Sequence, residues 1–430
     1  MKTALVIGTG AGGATVAKDL QGAFQVTMLE AGQPFNRLRI GVQTIERLHT
    51  VGAPLYPPMI NRIFPAMRVR RAGSMLLVNG HGVGGTTTIA TGNGLRMDKD
   101  LRAMGIDLDA EFADVYSDIP VTTAHQAGWK NSTRRLFEIA ADMGLAPQAM
   151  PKMGWAGRCA HCGRCVAGCP TGAKWDSRQF VEAAVGRGAE LRTQSFVDHV
   201  VREGIRASGV VVREGCRRRF YPADVIIVAA GGLGTPVVLE RSGIATEPRL
   251  AVDPVLCVAG LVPGVRAQQE ISMPFFVQRD RYILSPYFDY LSFLNHPAWR
   301  VHPAGDILSV MVKLADDSRG SIEHGRIRKA LTDDDRRHLG EGLRIATEIV
   351  ERFGVAKGKT FLGVLNAGHP GGMLPLSERE ASSFHNDRLP ANVYVADASL
   401  LPGALGNPPI LTTVAMAKRV ARVIRERFEN

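Results

Sequence analysis

Residues 1–32 read MKTALVIGTGAGGATVAKDLQGAFQVTMLEAG. ALVIG is a short, apolar, β-rich run, ATVAKDL has helical periodicity, and FQVTMLEAG returns as a second strand that ends in Glu30. Between first strand and helix lies G-x-G-x-x-G at Gly8, Gly10 and Gly13. Strand, glycine loop, helix and strand, with an acid about 20 residues after the first glycine, form a dinucleotide-binding fingerprint. Gly8 allows the tight turn, Gly10 lets backbone approach a pyrophosphate, and Gly13 lets helix pack on strand. The helix N-terminus faces the phosphates. Glu30 is placed to accept hydrogen bonds from a ribose hydroxyl. An empty glycine-rich turn would explain neither Glu30 nor the flanking pattern. The fingerprint alone does not separate NAD from FAD.

The chain has 430 residues, enough for two or three domains or one large doubly wound domain with an insert. Hydrophobic residues make up 45% and charged residues 22%, the ordinary balance of a globular protein. Forty-seven glycines concentrate in short loops, as suits backbone held close to a ligand. The formal charge is +11, but Arg and Lys are scattered, with short clusters only at Arg68, Arg70 and Arg71 and at Arg217, Arg218 and Arg219. No basic stripe interleaved with aromatics appears, so nucleic acid is not an expected partner. An acidic redox partner remains compatible with the charge. A core strand so near Met1 leaves no room for a signal peptide, and no apolar run approaches the ~20 residues of a membrane span. The expected location is the cytoplasm, where thiols stay reduced and disulfides are a poor explanation for cysteines.

Three further stretches carry a resemblance. GHGVGGTTTIATGNGLR (residues 80–96) resembles the glycine-rich flavin loop of the glucose–methanol–choline (GMC) oxidoreductases. AAGGLGTPVVLERSGI (229–244) resembles that family's second signature, and NVYVADASLLPGALGNPPILTTVAMAKRVARVI (392–424) its C-terminal block. The matches occur in family order along the whole chain. The resemblance implies FAD, held by Gly80, Gly82, Gly84, Gly85 and Thr86 of the flavin loop and by Ala230 and Gly231 of the second signature. Asp397, Ala398, Asn407 and Pro408 of the last block would complete the site. It also implies that backbone around Val197 holds the adenine end. Read without the family, GVGGTTT would let backbone N–H groups reach a planar ring and its phosphates. NVYVADAS delivers Asp397 to the C-terminal end of a strand, where ligands sit in open α/β sheets, although a turn-forming Asx residue is the competing reading.

Family members oxidise an alcohol by removing the hydroxyl proton and passing a hydride to flavin N5. The resemblance implies His369, in LNAGHPGGM, as the base and Asn407, in GALGNPPIL, as the group holding the substrate oxygen. Imidazole suits the task because its ordinary pKa lies near working pH. The sequence departs from the family here, with Pro-Gly-Gly-Met in place of a following Gly-Thr. Of the ten other histidines, His81 could touch the flavin and His385 falls on a polar loop.

CAHCGRCVAGCP (159–170) gathers Cys159, Cys162, Cys165 and Cys169 in a C-x2-C-x2-C-x3-C-P run, the spacing of bacterial ferredoxin clusters. Structural zinc more often uses two separated pairs. The remaining cysteines are Cys216, in a probable hairpin turn, and Cys257, in the apolar run VLCVAGLV. The count permits a single cluster, four-iron if Cys169 is a ligand and three-iron otherwise. A cluster beside a flavin implies a dehydrogenase passing electrons one at a time to an acceptor protein or quinone-linked carrier.

The expected fold class is α/β. A Rossmann-like FAD domain is assembled from residues 1–105, 175–250 and 385–430. Residues 106–174 form a helical and loop excursion with the cysteines. Residues 251–384 form an α+β substrate domain, with strands in SMPFFVQRD, RYILSPYF and DILSVMVKLA and a helix in LTDDDRRHLGEGLRIATEIVERFG. Phe275, Phe276, Tyr287, Phe288 and Tyr290 fit either an apolar or ring substrate or a sheet core. A partner subunit could complete an open site. A flavin-bearing lyase and an electron-transfer subunit are the competing functions.

Overall fold

The computed structural model of the chain describes residues 1–35 and 57–428. Residues 36–56, part of the first segment expected to bind FAD, and 429–430 lie outside the described residues.

A five-stranded parallel sheet forms first from the opening fingerprint. Its order is Val393–Val395, Val225–Val228, Lys2–Ile7, Phe24–Leu29, Glu190–Arg192. All neighbours run parallel. Strands of such a sheet are covered on both faces and read as continuous apolar runs. VIIV at 225–228 is buried at every residue. Helices Ala11–Asp19, Arg178–Gly186 and Ile410–Phe428 share one hydrophobic core with this sheet. A three-stranded antiparallel sheet (Ser195–Glu203, Arg206–Glu214, Arg217–Pro222) also contributes to that core. Cys216 is exposed in the turn between its last two strands.

The second sheet has nine strands. Along it run Met67–Ala72, Met75–Gly80, Asn366–Ala367, Pro254–Leu261, Ile307–Leu314, Tyr282–Pro286, Phe275–Gln278 and Gln148–Ala149, with Phe361–Leu362 also beside Pro254–Leu261. It is antiparallel apart from the pairing of Asn366–Ala367 with Met75–Gly80. The α/β class with a second α+β unit is therefore as expected. Two pieces cross the expected segment boundaries. The hairpin at 67–80, read with the FAD segment, pairs into this sheet through Leu76 and Leu77. Gln148–Ala149, read with the cysteine excursion, extends it at Phe275 and Phe276. Backbone pairing across long sequence separations overrides the order of segments along the chain.

Helix Asp333–Phe353 covers one face of the sheet. Thr332 and Asp335 form a reciprocal capping box at its start. Leu339, Ala346, Ile349, Val350 and Phe353 make its buried stripe. Among the described residues, no helix is long and apolar enough to cross a membrane.

Candidate cofactor and active site

The glycine cradle is built by close backbone packing. Gly8 has φ +96°, and a β-carbon there would strike the carbonyl of Ala229. A β-carbon on Gly13 would strike the carbonyl of Gly8, and one on Gly12 would strike that of Ala396. Gly12 is thus as tightly committed as the fingerprint glycines, although it occupies a free position of the motif. Gly10 differs: apart from its own helix and chain neighbours, nothing among the described residues lies within 4 Å of where its β-carbon would be. That open space at a helix N-terminus is what a phosphate needs.

Glu30 is buried at the lip of this cradle. It accepts hydrogen bonds from the Thr9 N–H (3.1 Å) and hydroxyl (2.7 Å) and from the Gly32 N–H (2.9 Å). The strand carrying Val197 begins beside it, with the Ser195 N–H bonded to the Glu30 carbonyl at 2.9 Å. The flavin loop lies across the cradle. Gly82 has φ +114° and Gly84 φ +94°, and a short turn of helix follows at Gly85–Thr88. A β-carbon on Gly85 would come 3.0 Å from Gly10 Cα, and one on Gly80 would strike Gly85. The Thr86 hydroxyl accepts from the Gly80 N–H at 3.0 Å. His81 makes a backbone bond to Ala66 and lies outside the cavity described next.

Asp397 is buried and takes three donors: the N–H of Gly231 (2.8 Å), the Thr235 hydroxyl (2.5 Å) and the N–H of Ser399 (2.8 Å). It therefore acts as an Asx-type cap that ties the end of strand Val393–Val395 to the helix Gly231–Arg241. Burial raises its carboxyl above the ordinary range despite those bonds. Ala230 starts the same helix, its N–H bonded to the Thr235 hydroxyl. The Ala398 carbonyl accepts from the Gly372 N–H at 3.0 Å. A β-carbon on Gly371 would meet that carbonyl at 2.5 Å, and one on Gly232 would strike Pro370. The two glycines that follow Pro370 are thus packing requirements of this chain, Gly371 by that collision and Gly372 by its φ of +81°.

His369 lines a cavity of about 220 Å³ at the junction of the two sheets. The flavin loop contributes Thr86, Ile89 and Ala90, and Pro408 closes one side. Its other walls are largely apolar, among them Ile60, Phe64, Val255, Met273, Leu291 and Met311. Tyr287 and Tyr290 reach it, whereas Phe275, Phe276 and Phe288 belong to the hydrophobic cores. Among the described residues, the acidic and basic side chains on this wall are His369, Asp253 and Lys313. His369 Nδ1 lies 3.1 Å from Asp253 Oδ2, and Lys313 Nζ donates to the same oxygen at 2.8 Å. Asp253 and Lys313 are each 3% exposed. Burial, and then Lys313, pulls the His369 imidazole below its ordinary value, against the opposing effect of Asp253.

Asn407 is buried but is not part of that lining. Its amide nitrogen donates to Gln278 Oε1 at 3.0 Å, and its buried Oδ1 has no protein partner among the described residues. His385 bonds the Pro390 carbonyl at 3.1 Å and packs edge-on against Tyr394.

Cys159, Cys162, Cys165 and Cys169 are all half-buried free thiols on one loop, and Cys257 is a core residue. Val166 and Ala167 of that loop line the His369 cavity. Among the described residues, however, no three His, Cys, Asp or Glu side chains are grouped to hold a metal. The loop as placed does not form the metal centre expected from its spacing. Burial raises the thiols of Cys159 and Cys165. Cys169 goes the other way: burial opposes ionisation, but hydrogen bonds from the Lys174 N–H and Thr171 outweigh it.

Two buried lysines lie beneath the loop, unforeseen from the sequence. Lys152 donates to Asn93 Oδ1 and to the Ser272 carbonyl at 2.6 Å. Lys174 donates to the carbonyls of Thr87, Thr88 and Ala90 at 2.8–2.9 Å, pinning the flavin loop. Burial pulls Lys152 down to about 7, with Cys165 and Cys159 pulling it back. Asp176, near Lys174, is held by a bidentate pair with Arg178.

The glycine cradle, the loop that crosses it and the cavity with His369 in its wall adjoin, and Pro408, next to the orphaned Asn407 amide oxygen, lines that cavity. The residues present fit FAD, since Gly10 leaves open space and the flavin loop meets it. Residues 3–258 match the GMC oxidoreductase family, and the chain belongs to that family. An uncharacterized protein of Methanocaldococcus jannaschii is 24% identical over 424 residues, covering 97% of this chain and 98% of its own. The long-chain-alcohol oxidase of Arabidopsis thaliana is 24% identical over 360 residues, and the match spans 63% of this chain and 47% of the plant enzyme. The crystal structure of pyridoxine 4-oxidase from Mesorbium loti shares the fold, with a TM-score of 0.74 at 16% identity over 98% of this chain and 99% of that one.

Proposed function

We propose that the chain is an FAD-dependent dehydrogenase that oxidises an apolar alcohol. The observation that carries this reading is His369, a half-buried imidazole in the wall of a largely apolar cavity that the flavin loop also lines. Gly8, Gly10, Gly13 and Glu30 would hold the adenosine and pyrophosphate, with Val197 backbone at the adenine end. Gly80, Gly82, Gly84, Gly85, Thr86, Ala230, Gly231, Asp397, Ala398 and Pro408 would surround the remainder. FAD, when bound, supplies the hydride acceptor. His369 removes the hydroxyl proton, a contribution of about 10²–10⁴ in rate for positioned acid–base groups. Asn407 directly precedes Pro408, which stands in the wall, and its orphaned oxygen supports a role at the ring or the substrate oxygen. The apolar walls, Tyr287 and Tyr290 exclude water and favour an aliphatic or ring alcohol. The similarity to a long-chain-alcohol oxidase agrees with that preference.

We infer that residues 159–169 take one iron–sulfur cluster, four-iron with Cys169 or three-iron without it, and that a one-electron carrier is the final acceptor. Spacing, shared burial and Lys152 and Lys174, which have no carboxylate within salt-bridge distance among the described residues, support it; thiolates would balance those ammoniums. Binding would have to draw the thiols together.

The decisive experiment is anaerobic flavin reduction across a panel of aliphatic, aromatic and sugar alcohols, with native enzyme and His369→Ala. Native enzyme should bleach with apolar alcohols, and His369→Ala should retain FAD and bleach about 10²–10⁴-fold more slowly. Bleaching of the variant at the native rate would remove His369 from the reaction. Iron and acid-labile sulfide measured on the same native sample test the cluster separately.

A further inference from the structure

Asp253 lies 116 residues before His369 in the chain, and neither it nor Lys313 belongs to a family motif quoted above. Yet the fold places them in one buried line with the histidine. An ionised carboxylate can only accept hydrogen bonds, so Asp253 Oδ2 at 3.1 Å requires the proton of a neutral His369 ring to sit on Nδ1. That leaves the Nε2 lone pair as the site that can take up a proton. We propose that Asp253 and Lys313 are positioning residues that fix this tautomer of His369 and set the pH range in which it acts as a base. The proposal rests on the reading of His369 as the base.

The surroundings hold Asp253 in place for this task. Its backbone sits at φ +52°, a conformation sparsely populated by residues other than glycine. Asp316 Oδ1 accepts the N–H groups of Val252 (3.1 Å) and Asp253 (2.7 Å), which fixes that conformation. The Gly406 N–H donates to Asp253 Oδ1 at 3.0 Å, leaving Oδ2 to Lys313 and His369. Lys313 comes from Ile307–Leu314, a strand buried along its whole length. A lysine there has no structural need to be charged unless its charge is used or paired. Among the described residues, the charged groups facing the imidazole are Asp253 and Lys313. Asp316, one shell out, is paired with Lys329. Without Lys313, Asp253 would hold a proton on the ring; without Asp253, Lys313 would repel one. Together they keep Asp253 ionised and below its ordinary range, burial notwithstanding, while His369 stays neutral and oriented.

The test is the pH profile of anaerobic flavin reduction, by a substrate from the alcohol panel, in native enzyme, Lys313→Met and Asp253→Asn. Lys313→Met leaves an unopposed carboxylate, so the acid limb should move to higher pH by about 1–3 units. Asp253→Asn leaves an unopposed ammonium, so the limb should move to lower pH, with a lower plateau because an amide can also donate to Nδ1. Limbs that stay together, or that move in the same direction, overturn the proposal. Should either variant fail to fold or load FAD, ¹⁵N-histidine spectra of the native FAD-loaded enzyme, assigned against His369→Ala, decide it. An Nδ1–H tautomer above the titration supports the assignment, and an Nε2–H tautomer overturns it. Native-rate reduction of His369→Ala, by contrast, defeats the underlying reading and leaves the tautomer measurement standing.

Discussion

The glycine cradle and the cysteine loop flank the same flavin loop and are made in opposite ways. In the cradle, Gly8, Gly12 and Gly13 bring backbone against backbone so closely that a single β-carbon would collide. Its shape is therefore complete before any ligand arrives. In the cysteine loop the binding atoms are side-chain thiols, and no three of them are grouped among the described residues. What is complete there is the setting: half-burial, two carbonyl-held lysines and a hydrogen-bonded Cys169. Backbone cradles are fixed by packing, whereas a thiolate site depends on the ligand to pay for bringing like charges together. Lys174 joins the two regions, since it sits below the cysteines and pins three flavin-loop carbonyls.

Lys174→Met should have the largest effect on both regions. It removes the donor from three carbonyls packed against the cradle, and about 2–4 kcal/mol of stability should be lost in urea unfolding. FAD content should fall in the same preparation. Unchanged stability with unchanged FAD would mean that the two regions are independent. Gly10→Ala separates shape from binding within the cradle. Gly10 has φ −69°, which alanine tolerates, and open space before it. Stability without FAD should stay within about 0.5 kcal/mol, while the FAD dissociation constant rises about tenfold, ~1.4 kcal/mol. Retained affinity would show that no phosphate passes Gly10. Cys169→Ser is the mildest change. Folding and FAD content should match native enzyme, while iron per chain falls and a three-iron electron paramagnetic resonance signal replaces the four-iron one. An unaltered iron count and spectrum would remove Cys169 from the ligand set.

Much of the cradle was legible from residues 1–32 because its determinants are local: a strand, a tight turn and a helix within one contiguous stretch. Two collisions come from far along the chain, that of Gly12 with Ala396 and that of Gly8 with Ala229. His369 was singled out through its motif, but the Gly-Gly that follows Pro370 made sense only once Gly371 met Ala398. Lys313 did leave a faint mark, as a lone charge in the apolar run ILSVMVKL. Lys152 and Lys174 left none that distinguishes them from surface lysines. Asn407 was placed by motif, yet its amide faces Gln278, a residue from a different strand.

The sequence by itself determined the parts whose chemistry is written in neighbouring residues: the parallel-sheet fingerprint, the glycine flavin loop, the histidine motif and the clustered thiols. Only the tertiary structure decided which of them share a cavity, which hairpin joins the large sheet, and that Asp253 and Lys313 stand behind His369. The physical reason is range. Turn geometry and residue spacing act over a few bonds, whereas burial, charge pairing and backbone collision act between residues the chain brings together only when it folds.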